Sequence, residues 1–208
     1  SEKNCIVFLN RADEFFVVSN GLDLEDHIKI QESLEKLFEV RLTISIGSGD
    51  SPFEANLKAY EGKKNKIILN NEHNIFGFLN GKSDSQISIM HLDVDDLTSR
   101  RNTDSPYEIS STIFELYSKM SKFFLEKNSL TFFMGGDNFM VVSNDEAKKS
   151  VQDFINMIKN DENISLNCGI GNANTGRAAV KLAKKSLDTI REIRDSGKEK
   201  PEVYELSC

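Results

Sequence analysis

Apolar residues recur along this chain with two different periods, and the switches between them mark out strands and helices. Ser85–Leu92 (SQISIMHL) reads as a buried strand, and Leu130–Val142 (LTFFMGGDNFMVV) as two apolar strands joined by a tight turn. Between them, Ile109, Ile113, Leu116, Met120, Phe123 and Phe124 fall at helical spacing within Pro106–Glu126. A helix is expected over Asp145–Lys159, with Asn144 or Asp145 as N-cap. A strand (Ile164–Ile170), a long helix (Thr175–Arg194) and a short strand (Val203–Leu206) close the chain. Upstream, the pattern gives a hairpin (Cys5–Val18), a helix (Leu24–Phe38), a strand (Val40–Ile46) and a helix opening at Ser51-Pro52, with proline at its first position. Gly62–Asp84 is polar, rich in Asn, Lys and Gly, and reads as a linker with one short apolar stretch, Lys66–Leu69.

The pattern also repeats. An offset of 124 residues carries Ala12-Asp13-Glu14-Phe15-Phe16-Val17-Val18-Ser19-Asn20 onto Gly136-Asp137-Asn138-Phe139-Met140-Val141-Val142-Ser143-Asn144. The same offset takes Ile44-Ser45-Ile46-Gly47 onto Cys168-Gly169-Ile170-Gly171, and Ala55 and Ala59 onto Ala179 and Ala183. An offset held over several elements points to two copies of one fold unit. The order β-α-β-β-α-β is the ferredoxin-like "palm" arrangement, so the expected class is α+β, built from two tandem palm units. Their expected limits are 1–62 for the first, 63–84 for a linker and 85–208 for the second. The first-copy equivalent of Asp93 would fall at position −31, so the first copy is expected to lack its opening strand and helix. An N-terminal truncation or a shortened variant would account for that. Such a unit would leave an open strand edge and uncovered apolar residues such as Ile6, Phe8 and Phe15.

Chemistry concentrates in the second copy. The strand ending at Asp93 leads into an acidic run, Asp93-Val94-Asp95-Asp96, and the turn Gly135-Gly136-Asp137-Asn138-Phe139 follows 42 residues later. Paired glycines suit a turn that needs positive φ and hold the following acid at the hairpin tip. Two carboxylates on neighbouring strands, with glycines leaving room for phosphates, are what a Mg²⁺–nucleotide site requires. The plain alternative is a polar hairpin tip beside a solvated acidic loop. With 26 Lys and Arg against 33 Asp and Glu, the net charge of −7 disfavours a nucleic-acid surface. No run is long enough for a membrane helix and no signal peptide is visible. Three cysteines (Cys5, Cys168, Cys208) without a CxxC pair suggest free thiols in a reducing cytoplasm, and His27, His73 and His91 lack zinc-like spacing.

Asp-x-Asp together with Gly-Gly-Asp-x-Phe on this scaffold resembles the palm superfamily of GGDEF domains and class III nucleotide cyclases. More narrowly, the chain resembles the archaeal GTP cyclohydrolase III family. The similar segments are His91–Thr98, Phe132–Met140, Asn20–Leu24 with Ile30–Ser33, Ser51–Ala55, and Gly169–Gly171 with Ala183–Arg191. That resemblance implies Mg²⁺-dependent opening of the imidazole ring of GTP by water attack at C8. It also implies hydrolysis of the triphosphate, leaving a formylamino-pyrimidine ribotide and inorganic phosphate for flavin and deazaflavin synthesis. It further implies two Mg²⁺ ions, with Asp93, Asp137 and the Val94 carbonyl as ligands. Asp95 and Asp96 are weaker candidates that face away from the metal in the related pattern and read as solvated, and Asn138, a substrate-binding candidate, stands where GGDEF enzymes carry Glu.

The remaining candidates are individual side chains. Gly135 and Gly136 would let backbone N–H groups approach phosphate oxygens. His91 lies two residues before Asp93, on the same strand face, where a neutral imidazole could position or deprotonate water; a strand histidine that only packs is the alternative. Arg177, Lys181, Lys184 and Arg191 share one face of the last helix; Arg191 aligns with the phosphate-contacting Lys of GGDEF domains, and Lys181 is a further candidate beside a purely solvated face. The first-copy turn, Arg11-Ala12-Asp13-Glu14, has no glycine and reads as a degenerate site, kept either for packing or to lend Arg11 or Asp13 to a shared cleft. A nucleotidyl cyclase or transferase on the same metal site, and a non-catalytic nucleotide-binding module, stay open at this point. So does a homo-oligomer through palm surfaces.

Overall fold

The computed structural model describes residues 3–79, 86–95 and 104–208. In chain order the elements are β1 (Ile6–Arg11), β2 (Glu14–Val18), α1 (Leu24–Phe38), β3 (Ile44–Ile46), α2 (Pro52–Lys64), β4 (Ile68–Asn70) and β5 (Ile75–Gly77). There follow β6 (Ile87–Val94), α3 (Pro106–Leu125), β7 (Leu130–Gly135), β8 (Asn138–Ser143), α4 (Asp145–Glu162), β9 (Leu166–Ala173), α5 (Gly176–Asp195) and β10 (Val203–Ser207). Two compact units result: Ser1–Ser19 together with Gln86–Cys208, and Asn20–Ser85.

The larger unit is built on a sheet of order β10-β9-β6-β8-β7. Four of its strands, β9-β6-β8-β7, have the ferredoxin-like arrangement, with β6 antiparallel to both β8 and β9. Strand β6 is buried along nearly its whole length, with Ser88, His91 and Asp93 interrupting its apolar residues. Met90, Leu92 and Val94 join Ile113, Leu116, Met120 and Phe124 of α3 and Phe154, Ile155 and Ile158 of α4 in one core. Ile87 and Ile89 point the other way, with Phe132, Met140, Val142, Ala179 and Ala183. By strand alternation His91 and Asp93 continue that second face toward the strand end. Helix starts follow their local chemistry. Ser105 and Glu108 form a reciprocal capping box ahead of Pro106, while the side chains of Asn144 and Thr175 accept from Ala147 and Ala178.

The repeat is visible element by element: β1-β2-α1-β3-α2-β5 matches β7-β8-α4-β9-α5-β10. Strand β5 runs parallel to β3 as β10 runs parallel to β9. A Cβ at Gly171 would overlap the Ala179 carbonyl and the Ala183 amide nitrogen; one at Gly47 would overlap the equivalent atoms of Ala55 and Ala59. In each copy a helix backbone lies directly on a strand backbone, and only glycine fits between.

Three expectations need correction. The stretch taken as linker (63–84) contains the end of α2 and both β4 and β5; β5 is only three residues long, and its alternation is too brief to register. Ile75 is nonetheless fully buried. Val40–Thr43 is not strand, because the Leu42 amide donates to Glu35 Oε1 (2.7 Å) and its carbonyl accepts from Gln31 Nε2 (2.9 Å). The division at residue 62 also differs from the compact units, since hairpin β1–β2 groups with residues 86–208. Phe8 stacks on Phe132 with centroids 4.2 Å apart, and Ile6 and Val18 lie against Gly176. Of the residues expected to lose cover, Phe8 is therefore buried and Phe15 is exposed, beside Val7, Leu9 and Val17 on the hairpin's outer face. The smaller unit has little apolar interior; Ile46 and Ile75 are buried alongside His27 and Gln31.

The glycine contacts make a direct prediction. Gly171→Ala should destabilise the protein by about 1–3 kcal/mol, because either α5 or β9 must shift. The measurement is a lower denaturant midpoint at unchanged m-value; an unaltered midpoint would mean that α5 is not seated on β9 as described.

Candidate active site

Strand β6 ends between β8 and β9, with Asp93 opposite Asn138 on one side and Asn167 on the other. The β7–β8 turn sits next to it. Gly135 and Gly136 have φ of +97° and +64°, a region that other residues enter only at a cost. A Cβ on Gly135 would meet nothing within 4 Å, so the glycines serve backbone conformation and leave open space above the turn. The first-copy turn has no positive φ, and its Arg11 pairs with Glu14 at 2.9 Å instead.

Asp93 is only 5% exposed. Its Oδ2 accepts from Arg191 Nη2 at 2.5 Å, and its Oδ1 is buried with no hydrogen-bond partner. Arg191 was expected at a triphosphate; the structure places it on Asp93 and, at 3.3 Å, on Asp188 Oδ1. Val94 buries its side chain in the α3–α4 core, so only its backbone is available to the site. Asp137 is partly exposed at the hairpin tip and receives a bond from Asn138 Nδ2 (2.9 Å). That bond fixes the Asn138 amide, so its Oδ1 is the atom facing His91 Nε2 at 3.0 Å. His91 therefore donates from Nε2 and keeps a lone pair on Nδ1, which is buried without a partner. Burial lowers the His91 pKa, more than the Asn138 bond and the Asp93 charge raise it, so the ring is neutral.

The structure thus brings together His91, Asp93, Val94, Gly135, Gly136, Asp137, Asn138 and Arg191. Lys181 is exposed on α5, ten residues before Arg191, which is about 15 Å along a helix axis; it is not brought to this group. Asp95 is not solvated: Lys200 Nζ lies at 2.7 Å and Arg194 Nη1 at 3.2 Å. Asp96 lies outside the described residues. Sequence reading missed Lys200 and Asn167, which are bonded to each other at 2.5 Å; a lysine in a loop carries no periodicity that could have marked it. Arg194 had a faint signal, one turn beyond Arg191.

Among the described residues no group of three or more His, Cys, Asp or Glu side chains gathers to hold a metal. The orphaned Oδ1 of Asp93 still fits a hard cation, since two carboxylates, a carbonyl and waters are an ordinary Mg²⁺ set. A cleft of about 460 Å³ opens beside the turn, bordered by Asp104, Ile109, Ser110, Phe114, Phe133 and Gly136. Its lining is mainly apolar and belongs to the α3 side of the sheet, whereas His91 and Asp93 continue the α5 side. Cys5, Cys168 and Cys208 form no disulfide, and burial pushes the Cys168 thiol up in pKa, so it is inert packing.

The sequence profile of the family described as GTP cyclohydrolase III matches residues 1–203. The chain belongs to the GTP cyclohydrolase III family. It is 29% identical over 189 residues to GTP cyclohydrolase III of Methanothermobacter thermautotrophicus, covering 89% of this chain and 76% of that protein. It is 31% identical over 199 residues to the Methanocaldococcus jannaschii protein of the same name, covering 89% and 71%. Among solved structures, the GGDEF domain of DgcB from Caulobacter crescentus in complex with c-di-GMP covers 58% of this chain and 77% of its own, at 11% identity and a TM-score of 0.45. That likeness is too distant to bear on function. No helix among the described residues is long and apolar enough to cross a membrane.

The Asp95 cluster gives this family member a measurable pH signature. Burial would raise the Asp95 pKa, but the Lys200 bond and charge, then Asn167 and Arg194, outweigh it and the net shift is downward. A lowered folded-state pKa contributes stability above the unfolded value, near 3.9, and loses it as pH falls through the folded value. Asp95→Asn should therefore lower the thermal midpoint at pH 7, with the difference from the parent shrinking below about pH 4. A difference that stays constant down to pH 3 would rule out the ion pairs as its source.

Proposed function

We propose that this chain is a Mg²⁺-dependent GTP cyclohydrolase that opens the imidazole ring at C8 and releases the two terminal phosphates as inorganic phosphate. The observation that carries this reading is the buried Asp93, with one oxygen unsatisfied, beside an open diglycine turn in a chain of the GTP cyclohydrolase III family. Asp93, Asp137 and the Val94 carbonyl would hold two Mg²⁺ ions, which when bound supply charge neutralisation at phosphate and a more acidic water. Residues of the chain do the rest. Gly135 and Gly136 would let backbone N–H groups approach a polyphosphate in the open space above the turn. His91, neutral and with its Nδ1 lone pair free, accepts a proton from the attacking water or orients it.

Incubation with GTP and Mg²⁺, followed by ultraviolet spectroscopy and a phosphate assay, tests the proposal. Loss of the purine band together with released phosphate is the expected result. Pyrophosphate without a ring-opened product would make the chain a cyclase or transferase, and metal-dependent GTP binding without turnover would make it a binding module. Asp93→Asn and Asp137→Asn should each reduce turnover on the order of a hundredfold or more while leaving the circular-dichroism spectrum unchanged. Near-parental activity in either variant removes that carboxylate from the metal site.

A further inference from the structure

Asp93 is not vacant. A carboxylate this buried needs a positive partner, and Arg191 supplies it through Nη2, leaving the other oxygen open. Arg191 is not itself locked in place: its side chain is 44% exposed, and its second contact, Asp188 Oδ1, lies on its own helix near the surface. The guanidinium therefore has somewhere to go. A divalent cation arriving at Asp93 Oδ1 would face a unit positive charge on the same carboxylate. Two like charges held on one carboxylate repel each other strongly, so cation and guanidinium do not share Asp93 comfortably.

We propose that Arg191 is the stand-in cation of Asp93, displaced when a divalent metal binds and captured by the polyphosphate that accompanies it. This rests on the reading of Asp93 as a metal ligand. The arrangement has a thermodynamic consequence. Metal alone must evict Arg191 into solvent and so binds weakly. Metal with a triphosphate lets Arg191 exchange one anion for another, so each ligand strengthens the other by the same factor. Arg191 then couples cation to nucleotide and disfavours occupation by bare metal.

The test measures Mn²⁺ binding by calorimetry on the parent chain, Arg191→Gln, Arg191→Lys and Asp93→Asn, with and without a non-hydrolysable GTP analogue. Without nucleotide, Arg191→Gln should bind Mn²⁺ about tenfold more tightly than the parent, and Arg191→Lys should fall between them. With the analogue the order should reverse, because the variant has lost its phosphate partner. A role confined to structural support would weaken binding under both conditions, and that result overturns the proposal. Equal Mn²⁺ affinity in parent and Arg191→Gln without nucleotide also overturns it, while Asp93-dependent binding in the parent leaves the metal site standing. If no chain shows binding that Asp93→Asn abolishes, the metal reading itself fails and the displacement fails with it. Arg191→Lys keeps a charge beside Asp93, so it carries the comparison if the glutamine variant does not fold.

Discussion

Burying a carboxylate at the end of a strand paired on both sides is costly, and much of the larger unit is arranged around that cost. Asp93 has backbone neighbours on β8 and β9 and almost no access to water, so its charge must be answered by side chains from elsewhere. Helix α5 supplies them only because it is seated correctly. Gly169 and Gly171 let its backbone rest on β9, with Ala179, Ala183, Leu187 and Ile190 facing inward. That seating delivers Arg191 to Asp93, and one turn later Arg194 to Asp95, with Lys200 following from the loop. The helix packing is thus part of the electrostatics of the site.

Comparison of the two copies separates packing from chemistry. Both keep the glycine–alanine contact between strand and helix, and both end in a parallel strand pair. Only the second has a strand equivalent to β6 among the described residues, and only there does a positive-φ glycine turn stand beside it. Strands β1 and β2 form a two-stranded sheet whose inner face packs on Phe132, while Val7, Leu9, Phe15 and Val17 are exposed. The equivalents of Leu9, Phe15 and Val17 are Phe133, Phe139 and Val141, which lie in the core beneath α3 and α4. Among the described residues the scaffold is repeated, while the buried acid on a central strand, the imidazole beside it and the positive-φ diglycine turn occur once.

Local signals made most of the fold and half of the site legible. The hairpin, its glycines, the strand alternation that puts His91 beside Asp93, and the fixed offset can all be read within short windows of sequence. What escaped reading depends on long-range contact. Arg191 and Asp93 are 98 residues apart, and helical periodicity placed Arg191 on a face with Lys181 without saying which end of the helix meets β6. Asp95 read as solvated because its partners lie on α5 and in the loop after it. Strand β5 escaped because three residues cannot show a period, and Val40–Thr43 was taken as strand because nothing local indicates that Gln31 and Glu35 claim the Leu42 backbone.

The residue at position 138 shows why this site differs from a GGDEF turn carrying Glu. Asn138 bonds in two senses at once: its amide nitrogen donates to the Asp137 carboxylate, and its oxygen accepts from His91 Nε2. A glutamate can accept from the histidine but has no proton for Asp137, and would place two carboxylates side by side. It would also favour a charged imidazolium, leaving no lone pair on Nδ1. The neutral amide instead ties Asp137 to the hairpin, fixes the tautomer of His91 and adds no charge next to a buried Asp93. An imidazole held neutral in this way can take a proton from water. Asn138 is thus the residue that links the diglycine turn to the chemistry proposed at β6.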